Sequence, residues 1–146
     1  MESKVFETLT GDICRSVETE DAITLIKETF PKLLAKKLNL RRVTAPLIVE
    51  AGLGINDDLN GIEKPVSFTA NSIGKRIEIV QSLAKWKRLT LARLELPSGS
   101  GIYTDMNALR PDETPDAIHS VYVDQWDWEK RIDTSERGVE YLSLIH

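Results

Sequence analysis

The chain has little cysteine, no long apolar run and no excess of positive charge, and each absence excludes a class of protein. Its single cysteine, Cys14, rules out an internal disulfide and fits a reducing compartment. No apolar stretch approaches the roughly 20 residues of a membrane span, and the first residues lack an apolar signal segment. The net charge of −4 argues against a nucleic-acid partner, which needs a basic surface. We therefore expect a cytoplasmic protein with neither a membrane nor a nucleic-acid partner.

The motifs that mark metal and phosphate sites are missing as well. No cluster of His, Cys and acidic residues has metal-ligand spacing, and the pattern G-x-x-x-x-G-K-[ST] is absent. We predict no metal site and no organic cofactor. What is present is an ordinary globular composition, 41% hydrophobic and 29% charged, over 146 residues. That length is enough to bury one core.

Hydrophobic spacing predicts a long first helix followed by a strand. The helix opens at the acids Glu20 and Asp21, which favour the positive end of the helix dipole. Its apolar residues recur at helical intervals, at Ile23, Ile26, Phe30, Leu33, Leu34 and Leu38. Pro31 should kink the helix or divide it. A strand is expected over residues 41–49, where Pro46 confines it to a sheet edge or a bulge.

Further elements follow a polar loop at residues 52–64. Two strands are predicted, joined by a hairpin turn at residues 71–74, and Ser82 can cap the helix that comes next. A second antiparallel strand pair closes the pattern, and an amphipathic helix begins near Val139. The predicted strands cover residues 66–70, 76–80, 103–110 and 121–128, and the helix covers residues 83–94. Residues 1–18 form an N-terminal arm and residues 19–146 one domain.

The segment HSVYVDQWDWE at residues 119–129 carries the strongest functional signal. Strand alternation divides it into two faces, with Val121, Val123, Gln125 and Asp127 on one and Tyr122, Asp124, Trp126 and Trp128 on the other. The first face begins with two valines and ends with an amide and a carboxylate. A solvated face would not start this way, and a core face would not end this way. The pattern suits the floor of a pocket for a small, polar, positively charged group.

Together with three other segments, these residues resemble the ammonia-dependent aspartate–ammonia ligases, also called type A asparagine synthetases. The other segments are INDDLNGIEKPV at residues 55–66, QSLAKWKR at residues 81–88 and YTDMNALRPDE at residues 103–113. The resemblance runs from about residue 23 to residue 142. It implies an α+β fold of the class II aminoacyl-tRNA synthetase kind, an antiparallel sheet flanked by helices. Family members are more than twice as long, so we expect an incomplete catalytic domain that is inactive alone.

The resemblance implies that Arg110 and His119 contact the nucleotide. Arg110, which precedes Pro111 and a loop at residues 111–118, resembles the motif 2 arginine that grips the α-phosphate of ATP. A guanidinium suits this role because its planar fork donates two parallel hydrogen bonds to a phosphate. The alternatives are a surface arginine paired with Asp112 or Glu113, and a structural role for His119.

The resemblance also implies a lysine that neutralises a carboxylate of aspartate, and Lys87 matches it. Lys85 points elsewhere on the same helix, because residues two apart do not share a face, and we expect it to be solvated. Trp86 is expected to pack in the core. Ser82 is placed among the substrate-binding residues.

The remaining predicted site residues lie on the last strand and in the polar loop. Asp127 is suited to hold the α-ammonium of aspartate, and Gln125 can orient the side-chain carbonyl or the incoming nitrogen. Asp57 is assigned to the amide nitrogen or to ammonium, whereas its neighbour Asp58 is expected to have no role. Polar strand ends near solvent, and a merely solvated loop acid, are the alternatives.

The implied reaction has two steps. The side-chain carboxylate of aspartate attacks the α-phosphate of ATP, giving β-aspartyl-AMP and pyrophosphate, and ammonia then displaces AMP. Any Mg²⁺ would arrive with ATP. The first helix and the segment from Leu40 to Leu47 resemble motif 1, which implies a homodimer. Two alternatives remain open: a non-catalytic synthetase-like paralogue, because no segment resembles motif 3, and a non-enzymatic interaction fragment.

Overall fold

A computed structural model describes residues 17–57 and 59–146. The predicted arm, most of which lies before residue 17, and Asp58 are therefore outside the described residues. The chain divides into two compact units, Met1–Leu33 and Leu34–His146. The domain boundary predicted at residue 18 stays a prediction. Within the described ranges, no helix is both long and apolar enough to cross a membrane.

The predicted first helix is present as α1, Val17–Leu38, and begins about three residues before the acids expected to open it. Acids lie in its first turn and the lysines Lys36 and Lys37 in its last, as the helix dipole favours. Pro31 lies inside α1, which continues through it, so the expectation of a division was wrong. A proline removes only one backbone donor, and the turns on either side keep their own bonds. A bend at this position stays a prediction.

The unit Leu34–His146 contains two three-stranded sheets. One is mixed and the other is antiparallel, so the predicted α+β class is confirmed, whereas the expectation of an antiparallel sheet was only partly right. The strands are β1 (Leu40–Arg42), β2 (Ile48–Glu50), β3 (Ser67–Ala70), β4 (Lys75–Ile79), β5 (Gly101–Leu109) and β6 (Tyr122–Lys130). The helices after α1 are α2 (Ala84–Arg93), a 3-10 turn (Thr134–Glu136) and α3 (Val139–Ile145).

The mixed sheet has the order β1-β5-β6, with β1 parallel to β5 and β6 antiparallel to it. The antiparallel sheet has the order β2-β4-β3. The single strand predicted over residues 41–49 was therefore wrong, because β1 and β2 belong to different sheets. Pro46 lies in the connection between them, where its missing N–H costs no ladder bond.

The two hairpins follow the prediction. The turn between β3 and β4 occupies residues 71–74, where Gly74 takes a positive φ of 63° that suits glycine. The β5–β6 pair is antiparallel, and its connection is somewhat longer than the eight residues expected. α3 also appears where predicted, although Val139 and Leu142 are exposed.

The core of this unit joins both sheets to the start of α2. Its fully buried members come from β2, β5 and the segment after β4: Val49, Val80, Leu83, Met106 and Ala108. Trp86 packs against this cluster, as predicted. Leu83 rather than Ser82 takes the N-cap position of α2, but the Ser82 hydroxyl accepts a hydrogen bond from the N–H of Ala84 at 3.2 Å. The N-cap of α2 was therefore predicted one residue too early in the sequence.

Candidate active site

The floor of the site is the inner face of β6. β5 and β6 pair without a bulge from Gly101–Lys130 to Leu109–Tyr122. On the shared face, three β6 side chains lie opposite three buried β5 residues, namely Val123 opposite Ala108, Gln125 opposite Met106, and Asp127 opposite Thr104. Val123 packs against the core, and the polar residues follow it toward the end of the strand. The predicted grouping of Gln125 and Asp127 with Val123 is confirmed, whereas Val121 precedes β6 and its place on this face stays a prediction.

A buried lysine from α2 meets the polar end of this face. Lys87 forms an ion pair with Asp127 and donates a hydrogen bond to the carbonyl oxygen of Trp128 at 3.0 Å. Glu129 lies 3.9 Å from the same ammonium. The Lys87 side chain is only 7% exposed and that of Asp127 19%, so their charges interact with little screening by water. The two residues predicted to bind opposite charges of a substrate therefore neutralise each other in the free chain.

Gln125 lies beside this pair but engages it in no described contact. Its side chain is largely exposed, and its Nε2 donates to the sulfur of Met106 at 3.2 Å. A thioether is a weak acceptor. Breaking this hydrogen bond therefore costs the Gln125 amide little free energy when a stronger acceptor is present.

A second polar region is a cleft of about 480 Å³ between two loops and the end of β4. The loop before β3 and the β5–β6 connection form its walls. Its lining residues are Asp57, Leu59, Asn60, Glu63, Gln81, Arg110, Asp112 and Glu113. One cation and four carboxylates thus face the same space. The two walls are joined by a hydrogen bond of 3.0 Å, which the backbone N–H of Lys64 donates to the carboxylate of Asp112.

Arg110 is the cation of this cleft. Its Nε donates a long hydrogen bond of 3.4 Å to the carbonyl oxygen of Gln81. Neither Asp112 nor Glu113 forms an ion pair with it, so the alternative of a surface pair with these acids is not realised in the described residues. The two terminal guanidinium nitrogens are left for a ligand, and they form the planar fork that matches a phosphate.

Asp57 reaches a lysine that the sequence interpretation set aside. The Lys85 ammonium lies 3.6 Å from the Asp57 carboxylate, and their side chains are 42% and 27% exposed. Lys85 is thus partly exposed to water, as expected, and it also forms an ion pair that was not predicted. Lys85 and Lys87 engage different carboxylates, as their spacing on the helix requires. Lys85 thus ties the first turns of α2 to the wall of the cleft.

His119 lies in the β5–β6 connection, outside the cleft lining, where it bonds Asp116. The Nδ1 of His119 is 2.8 Å from the Asp116 carboxylate, which also accepts the N–H groups of Ile118 and His119. These bonds, the one from Ile118 first, lower the pKa of Asp116 to about 2. The same carboxylate, by its hydrogen bond and its charge, raises the pKa of His119. The pair shapes a turn in this connection.

The structure therefore gathers the predicted residues into two groups. Lys87, Asp127 and Gln125 lie at the floor, Arg110 and Asp57 line the cleft, and Ser82 and His119 lie in neither group. Sequence reasoning missed Gln81, which is buried at the end of β4 and lines the cleft. A signal was present, because Ile77, Ile79 and Gln81 share a strand phase that turns from apolar to polar.

Within residues 17–57 and 59–146, no three His, Cys, Asp or Glu side chains lie in an arrangement that could bind a metal ion. The carboxylates of the cleft are spread around its walls instead.

Comparisons with known proteins identify the family of this chain. The family model described as aspartate-ammonia ligase matches residues 17–145. Proteins named aspartate–ammonia ligase are similar to this chain at 62% identity in Clostridium perfringens strain SM101, over 86% of the chain, and at 58% in Mycoplasmoides gallisepticum, also over 86%. One from Bacteroides thetaiotaomicron is 58% identical over 88% of the chain. The chain spans 37–38% of the length of these curated relatives. It belongs to the aspartate–ammonia ligase family.

Proposed function

We propose that the protein makes asparagine from aspartate, ATP and ammonia through β-aspartyl-AMP. The observation that carries the proposal is Arg110, a cation in a cleft whose terminal nitrogens have no partner among residues 17–57 and 59–146, in the same unit as the largely buried Lys87–Asp127 pair. Membership of the family supports the proposal, and so do the names of the relatives. Because the chain spans 38% of the length of its Clostridium relative, the activity of the whole protein is part of the proposal.

Aspartate binds by replacing the ion pair between Lys87 and Asp127 with one contact to each of these residues. An α-amino acid carries a carboxylate and an ammonium, so it can offer Lys87 an anion and Asp127 a cation at the same time. Each protein charge then keeps an opposite charge beside it, which limits the penalty of opening a buried pair. Ser82, two residues before α2, contributes a hydroxyl to the same bound amino acid.

Adenylation takes place at Arg110. Its guanidinium binds the α-phosphate and stabilises the extra negative charge that develops when the aspartate carboxylate attacks. His119 contacts the nucleotide from the β5–β6 connection. Mg²⁺ enters with ATP, where it neutralises the phosphates that leave as pyrophosphate.

Amide formation follows at the floor of the site. Gln125 orients the acyl group or the incoming nitrogen, since its amide can both donate and accept, and its present bond to Met106 is weak. Asp57 attracts ammonium to the cleft. The four carboxylates that line the cleft raise the local concentration of a cation in the same way.

We also propose the wider setting that the family resemblance implies. The fold is that of the class II aminoacyl-tRNA synthetases, and the protein acts in the cytoplasm as a homodimer without a nucleic-acid partner. The dimer forms through α1 and the strand after it. The exposed apolar side chains of Leu25, Ile26 and Leu33 on α1 support this, because a partner would bury them.

Because the chain spans 38% of the length of its Clostridium relative and is expected to be inactive alone, the proposal is tested on the whole protein, supplied with radiolabelled aspartate, ATP, Mg²⁺ and ammonium. Asparagine and AMP should form in equal amounts, and omitting ammonium should abolish asparagine. Formation of ADP in place of AMP would exclude the adenylate. A protein that consumes no ATP and binds neither ATP nor aspartate by calorimetry would instead be a non-enzymatic interaction module.

A further inference from the structure

Gln81 has a buried side-chain amide that the fold does not use. The residue is 1% exposed, and neither its Nε2 nor its Oε1 has a hydrogen-bond partner among the described residues. An amide in that state loses its bonds to water and gains none in return, which destabilises the native state. Such groups are rare in folded proteins, and each calls for an explanation.

Packing does not explain the amide. Val80 and Leu83, on either side of Gln81, are fully buried and apolar, so a methionine of similar size would fill the space without unpaired atoms. The backbone of Gln81 is held at both ends. Its N–H donates to the Asn56 side chain at 2.9 Å, and its carbonyl accepts from Arg110. The backbone of Gln81 is therefore fixed beside the guanidinium of the cleft, whereas its side chain is held by no hydrogen bond among the described residues.

We propose that Gln81 contacts the reacting acyl group during amide formation, an inference that rests on the proposed function. In an acyl adenylate, a single oxygen links the acyl carbon to the phosphorus that Arg110 binds. A residue bonded to Arg110 is thus placed beside the reacting carbon. Because the amide atoms are shielded in the free chain, contact requires a rotamer change of Gln81 toward the cleft that it lines.

Both atoms of the amide have a partner in this step. The nitrogen lone pair of ammonia forms the new C–N bond, the C–O bond to AMP breaks with its electrons on the phosphate oxygen, and one proton leaves the nitrogen for water. Nε2–H donates to the acyl oxygen as that oxygen becomes negative, and Oε1 accepts an N–H of ammonia. The free energy lost on burying the amide is recovered when the adenylate is bound.

The test is Gln81→Met, measured in both half reactions. Aspartate-dependent exchange of pyrophosphate into ATP needs no ammonia and should stay within about fivefold of wild type. Asparagine formation should fall on the order of a hundredfold, the usual cost of losing an oxyanion donor. The melting temperature should rise by roughly 2–6 °C, because the unpaired amide is gone.

Ser100→Ala is the matched control. Ser100 is also buried and polar, but its hydroxyl donates to the carbonyl of Pro97 at 2.6 Å and lies outside the cleft. This variant should lower the melting temperature and leave both half reactions unchanged.

The outcomes separate the two proposals. Wild-type asparagine formation by Gln81→Met, or an equal loss of both half reactions with a lower melting temperature, would overturn the role of Gln81 alone. Absence of aspartate-dependent exchange in the wild-type protein would instead overturn the proposed function on which it rests.

Discussion

Arg110 is the residue on which the proposed adenylation depends. Replacing it by alanine removes the charge-assisted bonds to the α-phosphate, which are strongest in the transition state, so the pyrophosphate exchange rate should fall on the order of a hundredfold or more. Aspartate affinity, measured by calorimetry, should change little, because Lys87 and Asp127 are intact. Arg93→Ala, at the exposed end of α2, is the control and should exchange normally. Exchange at the wild-type rate in Arg110→Ala would remove the assignment.

Lys87 and Asp127 should be energetically coupled. Lys87→Met leaves the largely buried Asp127 carboxylate, and Glu129 near it, without their cation and should lower the free energy of unfolding by about 3 kcal/mol in urea titrations. Adding Asp127→Leu should restore much of that loss, because the pair is then replaced by apolar groups. The exposed pair Lys75–Glu50 is the control, and Lys75→Met should cost less than about 1 kcal/mol. A cost equally small for Lys87→Met would show that the pair is not buried in solution.

The Asp116–His119 turn should depend on pH in a defined direction. The pKa of His119 is raised in the folded chain, so its contribution is complete below the unfolded value of 6.5 and is lost as pH rises through the folded pKa. The pKa of Asp116 is lowered to about 2, so its contribution is present above 3.8 and is lost as pH falls toward 2. Both contributions to the stability of the turn are therefore present between pH 3.8 and pH 6.5.

An NMR titration of His119 checks this pair. Asp116→Asn removes the carboxylate and should bring the His119 pKa down toward 6.5. Asp133→Asn, an acid next to the 3-10 turn, should leave that pKa where it is. An unchanged pKa in Asp116→Asn would mean that the hydrogen bond does not form in solution.

Among single residues, alternation along a strand predicted the floor of the site, and helical spacing predicted that Lys85 and Lys87 diverge. Neither pattern could reveal that Lys87 pairs with Asp127, because the two residues are 40 positions apart and meet only when α2 packs on β6. The Lys85–Asp57 contact was missed for the same reason.

Among the elements, the β5–β6 pair depends on Gly101. A Cβ at this position would overlap the backbone oxygen of Glu129 and come within 2.8 Å of both Leu40 and Lys130. Gly101→Ala should therefore lower the free energy of unfolding by about 3 kcal/mol. Gly138→Ala, where the nearest atom is 3.9 Å away, should cost less than about 0.5 kcal/mol. Equal stability of the two variants in urea would contradict the packing at the start of β5.

Element prediction succeeded where the pattern was long and failed where it was short. α1, the β3–β4 turn and the antiparallel strand pair each have periodic residues or turn chemistry over their length. Residues 41–49 contain two three-residue strands that pair with different partners, β5 and β4. Their hydrogen bonds are set by distant strands, and three residues carry too little alternation to show it.

At the scale of the whole molecule, the α+β class could be predicted from the mixture of helical and strand periods. The division into two sheets could not, because parallel pairing of β1 with β5 joins residues 61 positions apart in the numbering, such as Leu40 and Gly101. The core that joins the sheets also serves the site, since Val80 and Leu83 flank Gln81 and Met106 lies under Gln125. In this unit the core residues are therefore neighbours of the residues proposed to carry the chemistry.

The central claim, that aspartate is activated as an adenylate at Arg110, is tested most directly with aspartate labelled with ¹⁸O in its side-chain carboxylate. When this substrate is turned over with ATP, Mg²⁺ and ammonium, one labelled oxygen should appear in the phosphate of AMP, because that oxygen bridges the acyl carbon and the phosphorus. Arg110→Ala should release no labelled AMP. Label found in inorganic phosphate beside ADP, or AMP free of label, would contradict the claim.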